Sequence, residues 1–278
     1  MICAGIDAGS RSTKLVLLDA EQGVILSRGL CDQGVEQESL ASALLERCCA
    51  EAGVARNRVG SIVATGYGRN LLRFAGCTIT EITCHARGVC HLLPETRTIL
   101  EIGGQDSKCV FVEAGGRVRD FAMNDRCAAG SGRFLELVAS RLEVSLRELG
   151  DLGEESQKPA LISSMCVVFA ETEIIGLLAQ GVSRADIAAG VQNAIAQRVV
   201  ALAGRCALTP IAFTGGVALL PGMTRALEHA LGCAVTVAPL PQYTGALGAA
   251  LLAGERGGER PPASEDSRQR DATFNTER

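Results

Sequence analysis

The chain has 278 residues, 47% of them hydrophobic, a mean hydropathy of +0.21 and a net charge of −4. That length suits two domains of ordinary size or one large one, with apolar content enough for packed cores. The charge leaves no basic footprint for nucleic acid, the lack of Trp leaves no base-stacking platform, and no apolar run approaches the roughly 20 residues of a membrane span.

Met1 to Asp7 carries no basic segment ahead of its apolar residues, so no secretory leader is expected and the chain reads as cytoplasmic. Ile2 to Ile6 is an apolar strand, Asp7 to Ser12 a polar turn, Thr13 to Leu18 a strand, and Val24 to Leu30 a third. The spacing of Leu40, Leu44, Leu45 and Cys48 predicts a helix over Glu38 to Ala52. Val59 to Ala64 is a buried strand, and Cys84 to Leu93 a short helix closed by Pro94. Residues Thr98 to Ile102, Lys108 to Val112 and Arg117 to Ala122 repeat the opening plan of three strands. Helices follow over Arg133 to Leu142, Leu146 to Leu152, Val167 to Gln180 and Arg184 to Arg205. Pro210 to Phe213 is a strand, Met223 to Leu231 a helix, Ala234 to Val237 a strand, and Thr244 to Ala253 a last helix. The charged, unpatterned stretch 254–278 reads as a disordered tail.

Laid together, Gly5-Ile6-Asp7-Ala8-Gly9-Ser10 and Glu101-Ile102-Gly103-Gly104-Gln105-Asp106 both put a small hydrogen-bonding loop after an apolar strand. Such self-similarity suggests a duplicated domain with a ligand between the halves. Three glycine-bearing loops follow strands: Asp7 to Lys14, Gly103 to Lys108, and Thr214 to Val217. Glycine lets backbone N–H groups approach and cradle phosphate oxygens. Asp7 suits a hydrated Mg²⁺, and Lys14, Ser10 and Ser12 can meet phosphate charge. The Gly-x-x-x-x-Gly-Lys-Ser/Thr pattern is absent, so this is not a P-loop chain.

Twelve cysteines without a leader point to reduced thiols or metal ligation rather than a disulfide framework. Two stand apart. Cys127 lies in the glycine-rich stretch Asn124 to Glu136, ahead of an amphipathic run, and Cys166 follows Ser163-Ser164-Met165 and opens another. A thiol at the start of a helix faces the positive end of its dipole, which favours the thiolate that iron binds. Two cysteines are half of a four-cysteine site, and a second copy across a two-fold axis would complete it. Cys84-His85 and Cys90-His91 resemble a zinc set, but a spacing of six does not bring all four groups to one helix face, so packing is expected. Cys3, Cys31, Cys48, Cys49, Cys77, Cys109, Cys206 and Cys233 read as core or surface thiols. Arg133 and Glu136 read as capping or solvated residues, with contact to a partner protein as the alternative. The stripe Val191, Ala194, Ile195, Val199 and Leu202 reads as core.

The loops Gly5 to Lys14, Ile102 to Asp106 and Phe213-Thr214-Gly215-Gly216-Val217 resemble the phosphate and adenosine motifs of the sugar kinase, Hsp70 and actin superfamily. More specifically, the chain resembles the activator component of 2-hydroxyacyl-CoA dehydratases, in the family that holds the ATPase subunits of benzoyl-CoA reductase. The marks are Ala64 to Asn70, Cys84-His85-Ala86, Asn124 to Glu136, Ser163 to Glu171 and Gln242 to Ala250. The resemblance implies an α/β fold of two duplicated, actin-like (ribonuclease H-like) ATPase domains over 1–95 and 96–253. The nucleotide lies in the cleft, and the last helix returns toward the first domain. It implies nucleotide contacts at Gly9, Ser10, Arg11, Ser12, Thr13, Lys14, Glu101, Gly103, Gly104, Gly215, Gly216 and Gln242. Asp7 holds Mg²⁺, and Gln105 or Asp106 orients the attacking water. It further implies a homodimer sharing one [4Fe-4S] cluster through Cys127 and Cys166 of each chain. ATP hydrolysis then drives one electron, received from ferredoxin or flavodoxin, into a two-subunit iron–sulfur dehydratase. Glu101 stands where the superfamily often has Asp, and Met165 where relatives often have a small polar residue. The competing expectations are a reductase for benzoyl-CoA or for a double-cubane protein, a small-molecule kinase, and a nucleotide-dependent interaction protein.

Overall fold

The computed structural model describes residues 1–163, 166–204 and 207–256. Ser164, Met165, Arg205, Cys206 and the tail from 257 lie outside them. In chain order the first part holds β1 (Ile2–Ala8), β2 (Ser12–Asp19), β3 (Val24–Asp32), α1 (Gln37–Glu51), β4 (Val59–Thr65), β5 (Cys77–Thr78) and α2 (Glu81–Leu92). There follow β6 (Thr98–Ile102), β7 (Ser107–Glu113), β8 (Arg117–Asn124), α3 (Gly132–Arg141), α4 (Leu146–Glu155), α5 (Val167–Ala179) and α6 (Arg184–Ala203). The series closes with β9 (Ile211–Thr214), α7 (Met223–Leu231), β10 (Val235–Val237) and α8 (Thr244–Arg256).

Ten strands form two five-stranded sheets, in the orders β3-β2-β1-β4-β5 and β8-β7-β6-β9-β10. The orders are the same when each sheet's strands are counted from its own start, which makes the duplication structural. In both, the first three strands are an antiparallel meander and the last two join in parallel to the first. Near-continuous burial of β1, β2, β6 and β7 marks the sheet interiors, while β3, partly exposed at alternate positions, and the largely exposed β8 form edges.

The largest differences from the expectation are at β5, α2 and α4, the last of which runs to Glu155 rather than Leu152. β5 is only two residues long, too short to show a period. α2 begins at Glu81 rather than Cys84, because the Thr80 side chain accepts from the Thr83 N–H and starts the helix a turn early.

The halves are joined by two helices. Ala86, Val89 and Cys90 of α2 pack on Ile99, Val110 and Val112 of the second sheet. α8 lies instead against β1, β2 and β4 of the first sheet. α2 and α8 also pack on each other at Gly88 and Gly248, where backbones touch. A methyl at Gly248 would overlap the carbonyl of Cys84, and one at Gly88 would overlap that of Thr244. Gly248→Ala is therefore expected to lower stability by about 1–3 kcal/mol through overpacking. Gly176, mid-α5, has open space at that position. Gly176→Ala should raise stability by about 1 kcal/mol through helix propensity. Urea denaturation of the two variants checks the opposite signs.

Candidate functional site

The two hairpins at the sheet centres face one cavity of about 470 Å³. In the first, Asp7 of β1 lies opposite Lys14 of β2, and Gly9 N–H donates to the Ser12 carbonyl at 3.2 Å to close the turn. In the second, Glu101 of β6 lies opposite Lys108 of β7, and Gly103 N–H donates to the Asp106 carbonyl at 3.0 Å. The correspondence is therefore Asp7 with Glu101, Gly9 with Gly103, Ser12 with Asp106 and Lys14 with Lys108. The apolar strand ends had set Ile6 beside Ile102; hydrogen-bond register shifts that pairing by two residues.

The duplicated lysines have diverged. Lys14 lines the cavity, with Nζ 3.8 Å from Asp7 Oδ2. Lys108 is only 2% exposed. Its Nζ lies 2.8 Å from Glu101, 2.5 Å from Asp106 and 3.5 Å from Glu81. Burial opposes its charge, but Glu101 and then Asp106 overcome that and hold its pKa above the ordinary range. Burial pushes Glu81 up to about 7, with Lys108 only partly opposing it. Burial and the Glu101 charge push Asp106 up as well.

Asp7, Arg11, Ser12, Lys14, Glu101, Gly103, Gly104, Gly215, Gly216 and Gln242 all line the same cavity. Of the other residues expected there, Gly9 shapes the first turn, and Gln33 Nε2 donates to its carbonyl at 2.8 Å. Ser10 sits beside Gly104. Thr13 is buried in β2 and bonds Gln33 at 3.2 Å, away from the lining. Gln105 is exposed at the tip of the second loop, and Asp106 is turned toward Lys108. Gly215, at φ 93°, takes a backbone shape that favours glycine, and a methyl there would overlap the Ile102 carbonyl.

Three residues of the site take parts other than those read from sequence. His85 lines the cavity, and its Nδ1 lies 2.9 Å from the Thr244 hydroxyl, which meets Thr214 Oγ1 at 2.7 Å. Burial lowers its pKa, which favours the neutral ring. Cys84 and Cys90 are buried nearby while His91 is exposed, so these four side chains do not converge. Lys108 looked like the end of a loop. Glu136, expected to cap or be solvated, instead accepts from Arg11 Nε at 2.9 Å and from Arg133 at 3.0 Å. Burial opposes its ionised form, and the bonds from Arg11 and Arg133 outweigh that and hold its pKa low.

The two singled-out thiols lie away from the cavity, and both are exposed, whereas Cys3, Cys48, Cys49, Cys84, Cys90 and Cys109 are buried. Cys166 opens α5 as expected: it is extended (φ −103°, ψ 135°), and its carbonyl accepts from the Ala170 N–H at 2.8 Å. Cys127 differs from expectation. It caps a single 3-10 turn over residues 128–130, and the extended Ser131 separates that turn from α3. Asn124 brackets it, donating to its carbonyl at 2.7 Å and accepting from its N–H at 3.2 Å. Two exposed thiols at chain turns are of the donor type that an iron–sulfur cluster takes.

Two equivalent sheets flanking a cavity of glycine loops, with a carboxylate and a lysine on each central hairpin, define a duplicated actin-like ATPase. The chain belongs to the BadF/BadG/BcrA/BcrD ATPase family, whose model matches residues 4–253. The activator of lactoyl-CoA dehydratase from Anaerotignum propionicum is 43% identical over 256 residues, covering 92% of this chain and 98% of that protein. The (R)-2-hydroxyglutaryl-CoA dehydratase activating ATPase of Acidaminococcus fermentans is 42% identical, covering 90% of this chain and 95% of its own. A benzoyl-CoA reductase component from Thauera aromatica is 32% identical, covering 90% and 92%. Among solved structures, the activator of the 2-hydroxyisocaproyl-CoA dehydratase from Clostridium difficile, with bound ADPNP, superposes with a TM-score of 0.87. It is 39% identical, and the match covers 95% of this chain and all of that one. A hexokinase of the ROK family from Thermus thermophilus, 19% identical with a TM-score of 0.52, covering 91% of this chain and 98% of its own, shares the fold alone.

Glu81 ties the site to pH. Its carboxyl is raised from 4.5 to about 7 in the folded chain. Between those values only the unfolded chain has lost the proton, so this group makes stability fall as pH rises and level off above. Glu81→Gln removes that slope. Urea titrations from pH 4 to 8 should show the variant gaining on the unaltered chain through that window. A constant difference would mean an ordinary carboxyl.

Proposed function

We propose that this chain activates a 2-hydroxyacyl-CoA dehydratase by ATP-driven transfer of single electrons. It works as a homodimer, taking its electrons from ferredoxin or flavodoxin in the cytoplasm. The observation that carries the reading is the pair of exposed thiols, Cys127 and Cys166, on the half that also holds the second phosphate loop. A kinase of this fold has no use for them. The relatives at 42–43% identity are named as dehydratase activators, and the one named for benzoyl-CoA reductase is at 32%, which favours a dehydratase partner.

The residues take these parts. Asp7 would hold Mg²⁺, and the Lys14 ammonium, 3.8 Å from Asp7 at the cavity wall, would meet phosphate charge. Backbone N–H groups around Gly9, Gly103, Gly104, Gly215 and Gly216 cradle the phosphates, and Ser10, Arg11, Ser12 and Gln242 complete the contacts. Thr13 supports this loop from the strand. Asp106 is committed to Lys108, so Gln105 is the residue left to orient water, with Glu101 between the loops. Residues 1–95 and 96–253 act as two domains that close on the nucleotide, with the α2–α8 crossing as their joint. Cys127 and Cys166 of two chains would hold a [4Fe-4S] cluster, which supplies one-electron transfer at low potential.

Anaerobic reconstitution with ferrous iron and sulfide tests this. The unaltered chain should give a brown dimer that delivers electrons to a dehydratase only with ATP. Cys166→Ala should lose the visible absorption and the electron delivery while ATP binding persists. A colour that survives the substitution would remove Cys166 as a ligand, and a colourless monomer that phosphorylates a small molecule would replace the reading with a kinase.

A further inference from the structure

Helix α3 stands between the nucleotide cavity and the two exposed thiols, and it is bonded to both sides. At its start, Gly132 N–H donates to the Gly103 carbonyl at 2.9 Å and Arg133 N–H to that of Gly104 at 2.8 Å. The second phosphate loop is thus tied to the first turn of the helix. One turn on, Glu136 accepts from Arg11 at 2.9 Å, which ties the helix to the first phosphate loop as well. Just upstream lies the short turn that Cys127 caps, with Arg198 donating to the Ala129 carbonyl at 3.1 Å. At the far end, Arg141 is ion-paired with Glu171 of α5, five residues beyond Cys166. Phe134, Leu135, Val138 and Ala139 bury the inner face of α3. A short helix with a close-packed face moves as a unit rather than deforming.

We infer that α3 carries nucleotide occupancy to the two thiols, with Glu136 and Arg141 as its positioning residues. This rests on the nucleotide site proposed above. Glu136 shares the cavity with the incoming phosphates, and both compete for the Arg11 guanidinium, whose five donors suit either anion. A nucleotide with terminal phosphates therefore loosens the Arg11–Glu136 pair and repels the Glu136 carboxylate. The helix shifts, the Cys127 turn follows because Ser131 alone links it to the helix start, its N–H donating to the Ala128 carbonyl at 3.1 Å and its carbonyl accepting from the Phe134 N–H at 3.2 Å, and α5 follows through Arg141 and Glu171.

The full chain prepared without iron supplies the test, because thiol exposure can then be read without a cluster. Iodoacetamide alkylation of Cys127 and Cys166, resolved by peptide mass, is compared with and without magnesium and a non-hydrolysable ATP analogue. Nucleotide should change both rates by at least about 5-fold, the lower end of ordinary coupling between sites. Arg141→Gln should keep nucleotide affinity and the Cys127 response while removing the Cys166 response. Exchanging the charges, Arg141→Glu with Glu171→Arg, should restore it; Glu136→Gln should remove both responses. If Arg141→Gln responds like the unaltered chain at both thiols, α3 is not the carrier. If the unaltered chain binds the analogue and neither thiol responds, this inference alone fails. If it binds no nucleotide, the functional reading fails with it.

Discussion

A carboxylate opposite a lysine on two adjacent antiparallel strands, built once in each half, sets the cleft. Antiparallel neighbours hold such a pair within reach of each other whatever the loops do. In the first half the pair stays loose and faces the cavity. In the second, the lysine is withdrawn under two further carboxylates, Asp106 and Glu81. A buried ammonium is tolerated only when paired, and three acids around one lysine leave one of them favoured in its protonated form. One copy of the hairpin therefore presents charge to a ligand, and the other spends its charge on holding a loop still.

That division fits the way the halves are joined. α2 leaves the first sheet and packs on the second, while α8 leaves the second and packs on the first. They cross with backbone against backbone, so neither half can be separated from the joint. The cavity opens beside this crossing, and His85 of α2 and Thr244 of α8 meet there. A shift at the joint is thus felt at the cavity wall directly.

Much of this was legible in the sequence. Strands of the meanders showed as apolar runs between turns, α6 as a long apolar stripe, and the phosphate loops as glycines after strands. Cys127 and Cys166 stood out by the motifs around them. What escaped depended on pairing across distance. Apolar ends alone misaligned the two hairpins, because only hydrogen-bond register shows that Glu101 corresponds to Asp7. Lys108, at the edge of an apolar strand, gave no sign that three acids would enclose it. Arg11 and Glu136 are 125 positions apart, and no local pattern connects them. The Cys127 turn reads like a helix start until the extended backbone of Ser131 interrupts it.

The divergence of the paired lysines has a practical side. The chain contains only three lysines, Lys14, Lys108 and Lys158, its other basic side chains being arginine and histidine. Lys108 is sealed from solvent and Lys158 is exposed on the surface. An amine-directed probe therefore meets one side chain in the cleft and one outside it, together with the surface α-amine of Met1. Acylation chemistry that would blur into an average on most proteins becomes, on this one, a three-line spectrum in which the Lys14 line against the other two reports whether the cleft is filled.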